Sequence, residues 1–185
     1  MNRLKTCMLL LLALAVLGST AARAQQADAS PAPNPDWDYY AFELNYIKDA
    51  GSLSFRELAE SGKPFVLVWW LTDCQLCRMQ MPYVQALYNR IDENELDVYL
   101  VSINVDDRER DCRSYLAESG LNVPVLYDRH ARRTGSQYSL RELGTPLTYV
   151  FGAGGELIDT MSGYKAGYVK AVLDLLDIEL PEEDK

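Results

Sequence analysis

The sequence predicts an α/β protein: a central mixed sheet flanked by helices, with an N-terminal β-hairpin extension. The strongest sign is the run FVLVWWL at residues 65–71, which is apolar throughout and therefore typical of a strand buried on both faces. Downstream, apolar segments of strand length alternate with segments whose apolar residues recur at helical spacing, as in a sheet with crossover helices. Hairpin patterns towards both ends of the chain add antiparallel strands, which makes the sheet mixed.

The elements before the central strand are a hairpin and a short helix. Residues 42–47 and 53–55 are predicted as its two strands, joined by the turn Lys-Asp-Ala-Gly. A helix is expected up to Ser61, because Ser54 is a good N-cap and Glu57 stands at the capping-box position. The following Gly-Lys-Pro ends that helix and leads into the central strand.

A long helix is predicted directly after the central strand. Thr72 and Asp73 are both good N-caps, and residues 75–90 carry apolar side chains at helical spacing. The apolar face is expected to consist of Leu76, Met79, Tyr83, Leu87 and Ile91.

The remaining elements follow from the same patterns. Asp106 and Asp107 are expected to form a turn and cap the second long helix, and Gly120 to end it. In chain order we predict a strand at 97–105, a helix at 108–119, a strand at 123–127, a helical stretch at 130–138, a hairpin of strands 147–151 and 156–161, and an amphipathic helix at 166–180.

The N-terminus has the features of a secretory signal. Arg3 and Lys5 precede a short apolar run at residues 8–17, and Ala22-Arg23-Ala24 fits the small-residue cleavage pattern. The apolar run is shorter than the ~20 residues of a membrane span, although an uncleaved membrane anchor is the alternative. We therefore predict a signal peptide at 1–24 cleaved after Ala24, a flexible leader at 25–37, one domain at 38–180 and an acidic tail at 181–185, with a periplasmic location.

Charge excludes some partners. The chain has 18 basic and 27 acidic residues, a net charge of −9. Removal of the signal would leave 15 basic residues and a net charge of −12. This balance argues against binding to nucleic acid or to anionic membrane surfaces.

Cys74 and Cys77 fall in the first turn of the helix that leaves the central strand. Their i, i+3 spacing puts both sulfurs on one side of the turn, close enough to bridge. Unpaired N–H groups and the helix dipole favour a thiolate there. A permanent disulfide or a zinc site is the alternative, but zinc normally takes four Cys or His ligands. Beyond the pair, the mature chain offers Cys112, expected to be buried, and His130, expected at a solvated helix start.

This stretch resembles the thioredoxin superfamily. A buried strand precedes the CxxC pair, Pro82 stands eight residues after the first cysteine, and Gly144-Thr145-Pro146 precedes a second apolar strand. The NVDD sequence at residues 104–107 is similar to the TlpA/ResA-like extracytoplasmic thiol-disulfide oxidoreductases, and the resemblance covers about residues 39–180. It implies a thioredoxin-like fold in which Cys74 attacks a substrate and Cys77 resolves the mixed disulfide. It further implies that Thr145 and Pro146 form a cis-proline loop that binds the substrate.

Five positions differ from the pattern of these relatives, and four of them, Asp73, Gln75, Leu76 and Gln80, are expected to modulate the chemistry. Thioredoxin has a buried aspartate where this chain has Val68, and ResA-like proteins have a glutamate where it has Gln80. An amide cannot take a proton from a thiol at neutral pH. Asp73 replaces a tryptophan before the first cysteine, and Gln75-Leu76 is an unusual dipeptide between the cysteines.

Asp73 bears on the direction of electron flow. Its carboxylate opposes the helix dipole, so the Cys74 thiol is predicted to have a pKa near or slightly below about 8.5. A less stable thiolate favours the disulfide, which is the property of a reducing couple.

The prediction is therefore an exported thiol-disulfide oxidoreductase that acts on extracytoplasmic protein substrates in the reducing direction. It requires no cofactor or metal, and a membrane electron donor would reduce it again. The alternative is a thioredoxin-fold binding or scaffolding module with weak or lost turnover; a copper carrier comes third.

Overall fold

A computed structural model of the protein describes residues 40–180. The predicted signal peptide, the leader and the acidic tail lie outside the described residues. In chain order the elements are β1 Glu43–Asn45, β2 Ser52–Ser54, α1 Phe55–Glu60, β3 Phe65–Trp70, α2 Gln75–Glu93, β4 Tyr99–Asn104, α3 Glu109–Ser119, β5 Val125–Tyr127, a 3₁₀ turn Arg129–Ala131, α4 Leu140–Leu143, β6 Leu147–Phe151, β7 Leu157–Ser162 and α5 Tyr168–Leu175.

The central sheet has the strand order β5-β4-β3-β6-β7. Strands β3, β4 and β5 are parallel, whereas β6 and β7 are antiparallel to their neighbours. The mixed sheet predicted from the sequence is therefore confirmed. All six residues of β3 are buried, as expected of a strand in the middle of a sheet with covered faces.

The two faces of the sheet carry separate cores. Trp69 and Trp70 are adjacent in β3, so they point to opposite faces, and each is fully buried. Trp70 lies in the core shared with α2, α3 and α5. Trp69 lies in an aromatic core with Phe55 and Tyr138.

The predicted N-terminal hairpin is a separate two-stranded sheet of β1 and β2. The chain after β1 continues along the edge strand β5: Tyr46 pairs with Leu126, and the Ile47 N–H donates to the Val125 carbonyl at 2.9 Å. This contact covers an edge that would otherwise present unpaired backbone groups.

The predicted cap of α1 is confirmed, since the Ser54 hydroxyl accepts a hydrogen bond from the Glu57 N–H. The predicted cap of α3 is wrong. Arg108 is the N-cap residue and makes no side-chain cap bond, while Asp107 pairs with Arg129 and His130 instead. Gly120 ends α3 in a left-handed conformation, as predicted.

Two helices differ from prediction. The stretch 130–138 is a 3₁₀ turn followed by irregular turns, because His130 and Ala131 both have positive φ and cannot continue a helix. The last helix ends at Leu175, five residues before the predicted end. Within residues 40–180, no helix is both long enough and apolar enough to cross a membrane.

Candidate redox site

Cys74 and Cys77 are joined in a disulfide at the N-terminus of α2, with their Cα atoms 5.1 Å apart. The N-cap of the helix is Cys74 itself, and neither of the predicted caps, Thr72 and Asp73, takes that place. The Cys74 sulfur accepts the N-cap hydrogen bond, which the Cys77 N–H donates at 3.1 Å. The sulfur therefore sits at the positive end of a helix of 19 residues.

The two sulfurs have different access to solvent. Cys74 is half-buried, whereas Cys77 is completely buried in the core beneath α2. A partner molecule can therefore reach Cys74 and cannot reach Cys77. This is the asymmetry expected of an attacking and a resolving thiol.

The loop before β6 lies against the disulfide. The Thr145–Pro146 peptide bond is cis, and the Cys74 sulfur is 3.5 Å from the Thr145 carbonyl oxygen. Pro146 is buried and Thr145 is half-exposed. Two residues that are 71 positions apart in the chain are thus brought together, as the resemblance implies.

A buried carboxylate supports the loop that leads to Cys74. The Asp106 carboxylate accepts the Thr72 N–H at 2.9 Å and the Asn104 side-chain amide at 3.1 Å. On the other side, the Arg78 Nε donates to the Thr72 carbonyl at 2.7 Å. The sequence pattern predicts Asp106 as part of a helix cap and does not predict this role. The position of Asp106 directly after β4 could have indicated the role, because β3 and β4 are parallel and their carboxyl ends lie at the same edge of the sheet.

Gln80 is buried in the structure and serves the backbone. Its Oε1 accepts the Lys165 N–H at 2.8 Å, which ties α2 to the loop before α5. Its Nε2 has no hydrogen-bond partner within residues 40–180, although the side chain is 1% exposed. Val68 is likewise fully buried. Both positions where relatives carry an acid are therefore occupied by groups that hold no titratable proton.

The outer face of α2 carries an apolar stripe, formed by Leu76, Met79 and Tyr83. These side chains are 46%, 45% and 41% exposed, respectively. Helical spacing assigns these three residues to one apolar face together with Leu87 and Ile91, but of the five only Leu87 and Ile91 are buried. The buried face of the helix consists of Cys77, Gln80, Met81, Val84, Leu87 and Ile91. The helix has a second apolar face that includes Met81 and Val84. The sequence does not favour this face, because the polar residue Gln80 also lies on it. Asp73 and Gln75 are exposed beside the start of the stripe.

Cys112 is unpaired and fully buried in α3, as predicted. Burial raises the pKa of the Cys112 thiol well above its ordinary value, and the nearby carboxylates of Asp106 and Glu109 add to the rise. The His130 Nε2 lies 2.8 Å from the Asp107 carboxylate. The described part of the chain holds no cluster of three or more His, Cys, Asp or Glu residues arranged to bind a metal ion.

The sheet order, the disulfide at the start of α2 and the cis-proline facing it define a protein of the thioredoxin-like class. Solved structures agree on the fold. A secreted disulfide oxidoreductase of Mycobacterium tuberculosis, described as homologous to E. coli DsbE, matches with a TM-score of 0.60 at 18% identity, over 72% of this chain and 97% of that one. StoA from Bacillus subtilis matches with a TM-score of 0.58 at 16% identity, over 72% of this chain and 94% of that one.

The chain belongs to the AhpC/TSA family, whose sequence profile matches residues 38–160, more than half of its length. Curated relatives carry the name thiol-disulfide oxidoreductase ResA. The protein of Oceanobacillus iheyensis is 29% identical over 124 residues, 66% of this chain and 62% of that protein. The protein of Bacillus subtilis is 24% identical over 120 residues, 64% of each chain. The resemblance to ResA-like proteins is thus confirmed, and this chain spans about three fifths of their length.

Proposed function

We propose that the protein is an exported thiol-disulfide oxidoreductase that reduces disulfides in extracytoplasmic proteins. The observation that carries the proposal is the asymmetric disulfide: Cys74 is accessible at a helix N-terminus beside the Thr145 carbonyl, and Cys77 is sealed below it. The name of the ResA relatives supports the same chemistry. A permanent structural disulfide has no need of one exposed sulfur at such a position.

The exchange proceeds in two steps. The Cys74 thiolate attacks one sulfur of a substrate disulfide, and the other substrate sulfur leaves as a thiolate that takes a proton from solvent. The Cys77 thiolate then attacks the Cys74 sulfur, which forms the Cys74–Cys77 disulfide and releases the second substrate thiol. The substrate gains two electrons and the protein loses two. A dithiol donor at the membrane would have to supply them for a further cycle.

Export and location rest on the N-terminal sequence. The signal peptide proposed at residues 1–24 would deliver the protein to the periplasm, and an N-terminal membrane anchor is the alternative. Mass spectrometry of the protein isolated from its native cells distinguishes the two. A chain that begins at Gln25 supports cleavage, and a chain that retains residues 1–24 in the membrane fraction contradicts it.

Substrates of protein size are favoured by the apolar stripe. Exposed apolar residues that adjoin one another are unusual on a soluble surface and mark contact sites. The stripe begins next to Cys74, where a substrate must be held while the mixed disulfide forms. We expect a small disulfide to reach Cys74 without contact with Met79 or Tyr83, whereas a protein substrate would contact both side chains.

A second function, a binding or scaffolding module with weak turnover, is favoured by one observation. Gln80 is buried, engaged with the Lys165 backbone and unable to accept a proton from Cys77. If no other group takes that proton, the resolving step is slow and mixed disulfides persist.

Reduction of insulin by dithiothreitol separates the two functions. We expect the wild-type protein to accelerate the reaction and Cys74→Ser to remove the acceleration, with Cys112→Ala as a control that retains it. A wild-type rate equal to that of Cys74→Ser would favour the binding module.

In the same assay, Met79→Glu is expected to slow insulin reduction by roughly five- to tenfold, but to leave the rate of reduction of a small disulfide unchanged. Ile158→Glu, at a similarly exposed position on β7, is the matched control.

A further inference from the structure

A second feature lies close to the disulfide and shares none of the three residues of the apolar stripe. A cavity of about 1010 Å³ opens between the ends of β3 and β4 and the segment from the 3₁₀ turn to α4. Thr145 belongs to its wall, and the Thr145 carbonyl oxygen is 3.5 Å from the Cys74 sulfur. A polypeptide bound at Cys74 would therefore pass the mouth of this cavity. We call it the basic pocket, and its defining residues are Arg132, Arg141, Leu71, Val105, Leu140 and Thr145.

The charge of the pocket is unlike that of the chain. The protein is strongly acidic, yet Arg132 and Arg141 line the cavity, are exposed, and have no acidic partner within residues 40–180. Glu142 is the acidic residue of the wall. Most other described cations are engaged, for example Arg108 with Asp111, Arg113 with Glu109, Lys63 with Asp97 and Lys170 with Asp174.

The neighbours of Arg132 are engaged as well. Arg129 and His130 both bind the Asp107 carboxylate, and the Arg133 guanidinium donates to the Glu43 carbonyl at 2.8 Å. Four basic residues thus stand within five positions, and three of them have structural partners. The fourth, Arg132, faces the cavity.

The segment that carries Arg132 is held rigidly. The buried Asp128 carboxylate accepts the Thr134 N–H at 2.9 Å and the Thr134 hydroxyl at 2.8 Å. The same hydroxyl oxygen accepts the Trp69 indole N–H at 2.9 Å. The segment is thereby fixed to β3, the strand that leads to Cys74. A site fixed in this way loses little conformational entropy when a ligand binds.

The backbone of the segment is strained at the pocket. His130 and Ala131 have φ of 55° and 51°, a region that residues with a Cβ seldom occupy. Strain of this kind persists only where the surroundings enforce it, and such positions cluster at ligand sites. Here Arg129 and His130 contact Asp107, and His130 and Arg132 both line the cavity.

We propose that the basic pocket binds acidic side chains of the protein substrate, next to the cysteine that Cys74 attacks. The inference rests on the proposed function and adds to it a substrate class: disulfides flanked by Asp or Glu. Guanidinium groups bind carboxylates through paired, charge-assisted hydrogen bonds, which suits two arginines without acidic partners at one mouth. The apolar floor of Leu71, Val105 and Leu140 would pack against the methylene groups of the bound side chain.

The test uses three cyclic peptides, each closed by one disulfide and flanked by two Glu, two Gln or two Lys residues. The pre-reduced full-length protein is mixed with each peptide, and the second-order rate constant of its oxidation is measured after acid quenching and alkylation. We expect the Glu peptide to react roughly five- to tenfold faster than the Gln peptide, and the Lys peptide to be the slowest. Raising the salt from about 0.1 M to about 1 M should remove most of the difference, because the screening length falls from ~10 Å to ~3 Å.

Two double variants locate the effect. Arg132→Glu with Arg141→Glu should reverse the order of the Glu and Lys peptides. Arg110→Glu with Arg113→Glu, which changes the net charge equally on exposed positions of α3 outside the cavity, should keep the wild-type order. Arg132→Gln with Arg141→Gln gives equal rates for all three peptides and serves if the charge-reversed protein is unstable.

The outcomes distinguish a failure of the basic pocket from a failure of the proposed function. If wild-type protein reacts with all three peptides at one rate, the basic pocket proposal is overturned and the proposed function stands. If the preference survives in both variants of Arg132 and Arg141, the pocket is also not its cause. If no peptide oxidises the reduced protein, the proposed function itself fails.

Discussion

The starts of α2 and α3 offer a comparison between cysteines in one small protein. Cys74 occupies the N-cap of α2, half-buried, with its sulfur bound to a helical N–H and facing the cis-proline loop. Cys112 lies in the first turn and a half of α3, fully buried, where desolvation and neighbouring carboxylates raise its thiol pKa. Both are near a helix N-terminus after a parallel strand. A place near a helix N-terminus is therefore not sufficient for a reactive thiol, because the thiol must also be accessible.

The largest expected difference between Cys74 and Cys112 is in their rates of alkylation. In the reduced native protein we expect iodoacetamide to label Cys74 at least ~10³-fold faster than Cys112. Cys112 reacts only when the core opens, which in an ordinary domain costs 5 kcal/mol or more. Mass spectrometry of a time course gives both rates. Comparable rates in the native state, with equal labelling in denaturant as the reference, would contradict the burial of Cys112.

The raised pKa of the Cys112 thiol predicts a pH effect on stability. In the folded state the thiol stays protonated to higher pH than in the unfolded state, so its contribution is fully present below about pH 8.5 and is lost as pH rises above that value. The free energy of unfolding should fall by about 1.4 kcal/mol per pH unit, or about 2 kcal/mol between pH 8.5 and 10.

Urea unfolding in a Cys74→Ser, Cys77→Ser background, with and without Cys112→Ala, measures this slope without disulfide exchange. The difference between the two proteins should shrink as pH rises. A difference that does not vary with pH would mean that Cys112 is not desolvated as described.

A substitution at Gln80 can change the rate at which Cys77 resolves a mixed disulfide on Cys74. A glutamate there would keep an oxygen for the Lys165 N–H and would add a group able to take a proton near Cys77, one helical turn away. Since the site is buried, its pKa would be raised towards neutrality. We expect Gln80→Glu to accelerate the resolving step by about tenfold near neutral pH and to make it pH-dependent.

The measurement is the decay of a preformed mixed disulfide between Cys74 and glutathione. Gln80→Met, of similar size and without an acid, is the control and should not accelerate the decay. No gain in Gln80→Glu would show that proton removal from Cys77 does not limit the reaction.

The smallest expected effect concerns Asp73. Replacement by Asn removes a negative charge next to Cys74, which should lower the thiol pKa by less than about one unit, because the exposed carboxylate is already screened by solvent. Thiolate absorbance in a Cys77→Ser background gives the value. Asp92→Asn, at the other end of α2, is the matched control. An unchanged or raised thiol pKa in Asp73→Asn would remove Asp73 from the account of the redox direction.

The sequence predicted the elements that depend on continuous or strongly periodic patterns. The central strand, the CxxC helix and the terminal hairpins are of this kind. The proximity of Thr145 and Pro146 to Cys74 came from the resemblance alone, because pairing between β3 and β6 joins distant parts of the chain. The role of Asp106 was not predicted, because its hydrogen bond to the loop after β3 produces no periodic pattern in the sequence.

The error over Leu76, Met79 and Tyr83 of α2 has a more general cause. The stripe of Leu76, Met79 and Tyr83 is as periodic as the buried face, and hydrophobic spacing cannot distinguish a surface for a partner from a surface for the core. The sequence favours a helix after β5, because the two left-handed residues of that segment, His130 and Ala131, are neither glycine nor asparagine. The first error adjoins Cys74, and the second concerns a segment that lines the same cavity as Thr145.

The reduction potential of the Cys74–Cys77 couple shows whether this disulfide is a redox site and in which direction it exchanges electrons. Equilibration of the protein with dithiothreitol buffers, read by alkylation and mass, should give one reversible two-electron transition close to that of thioredoxin, about −270 mV, because Asp73 disfavours the thiolate. A potential close to that of DsbA, about −120 mV, would reverse the proposed direction of electron flow. A pair that shows no reversible transition would contradict the claim that this disulfide is a redox site.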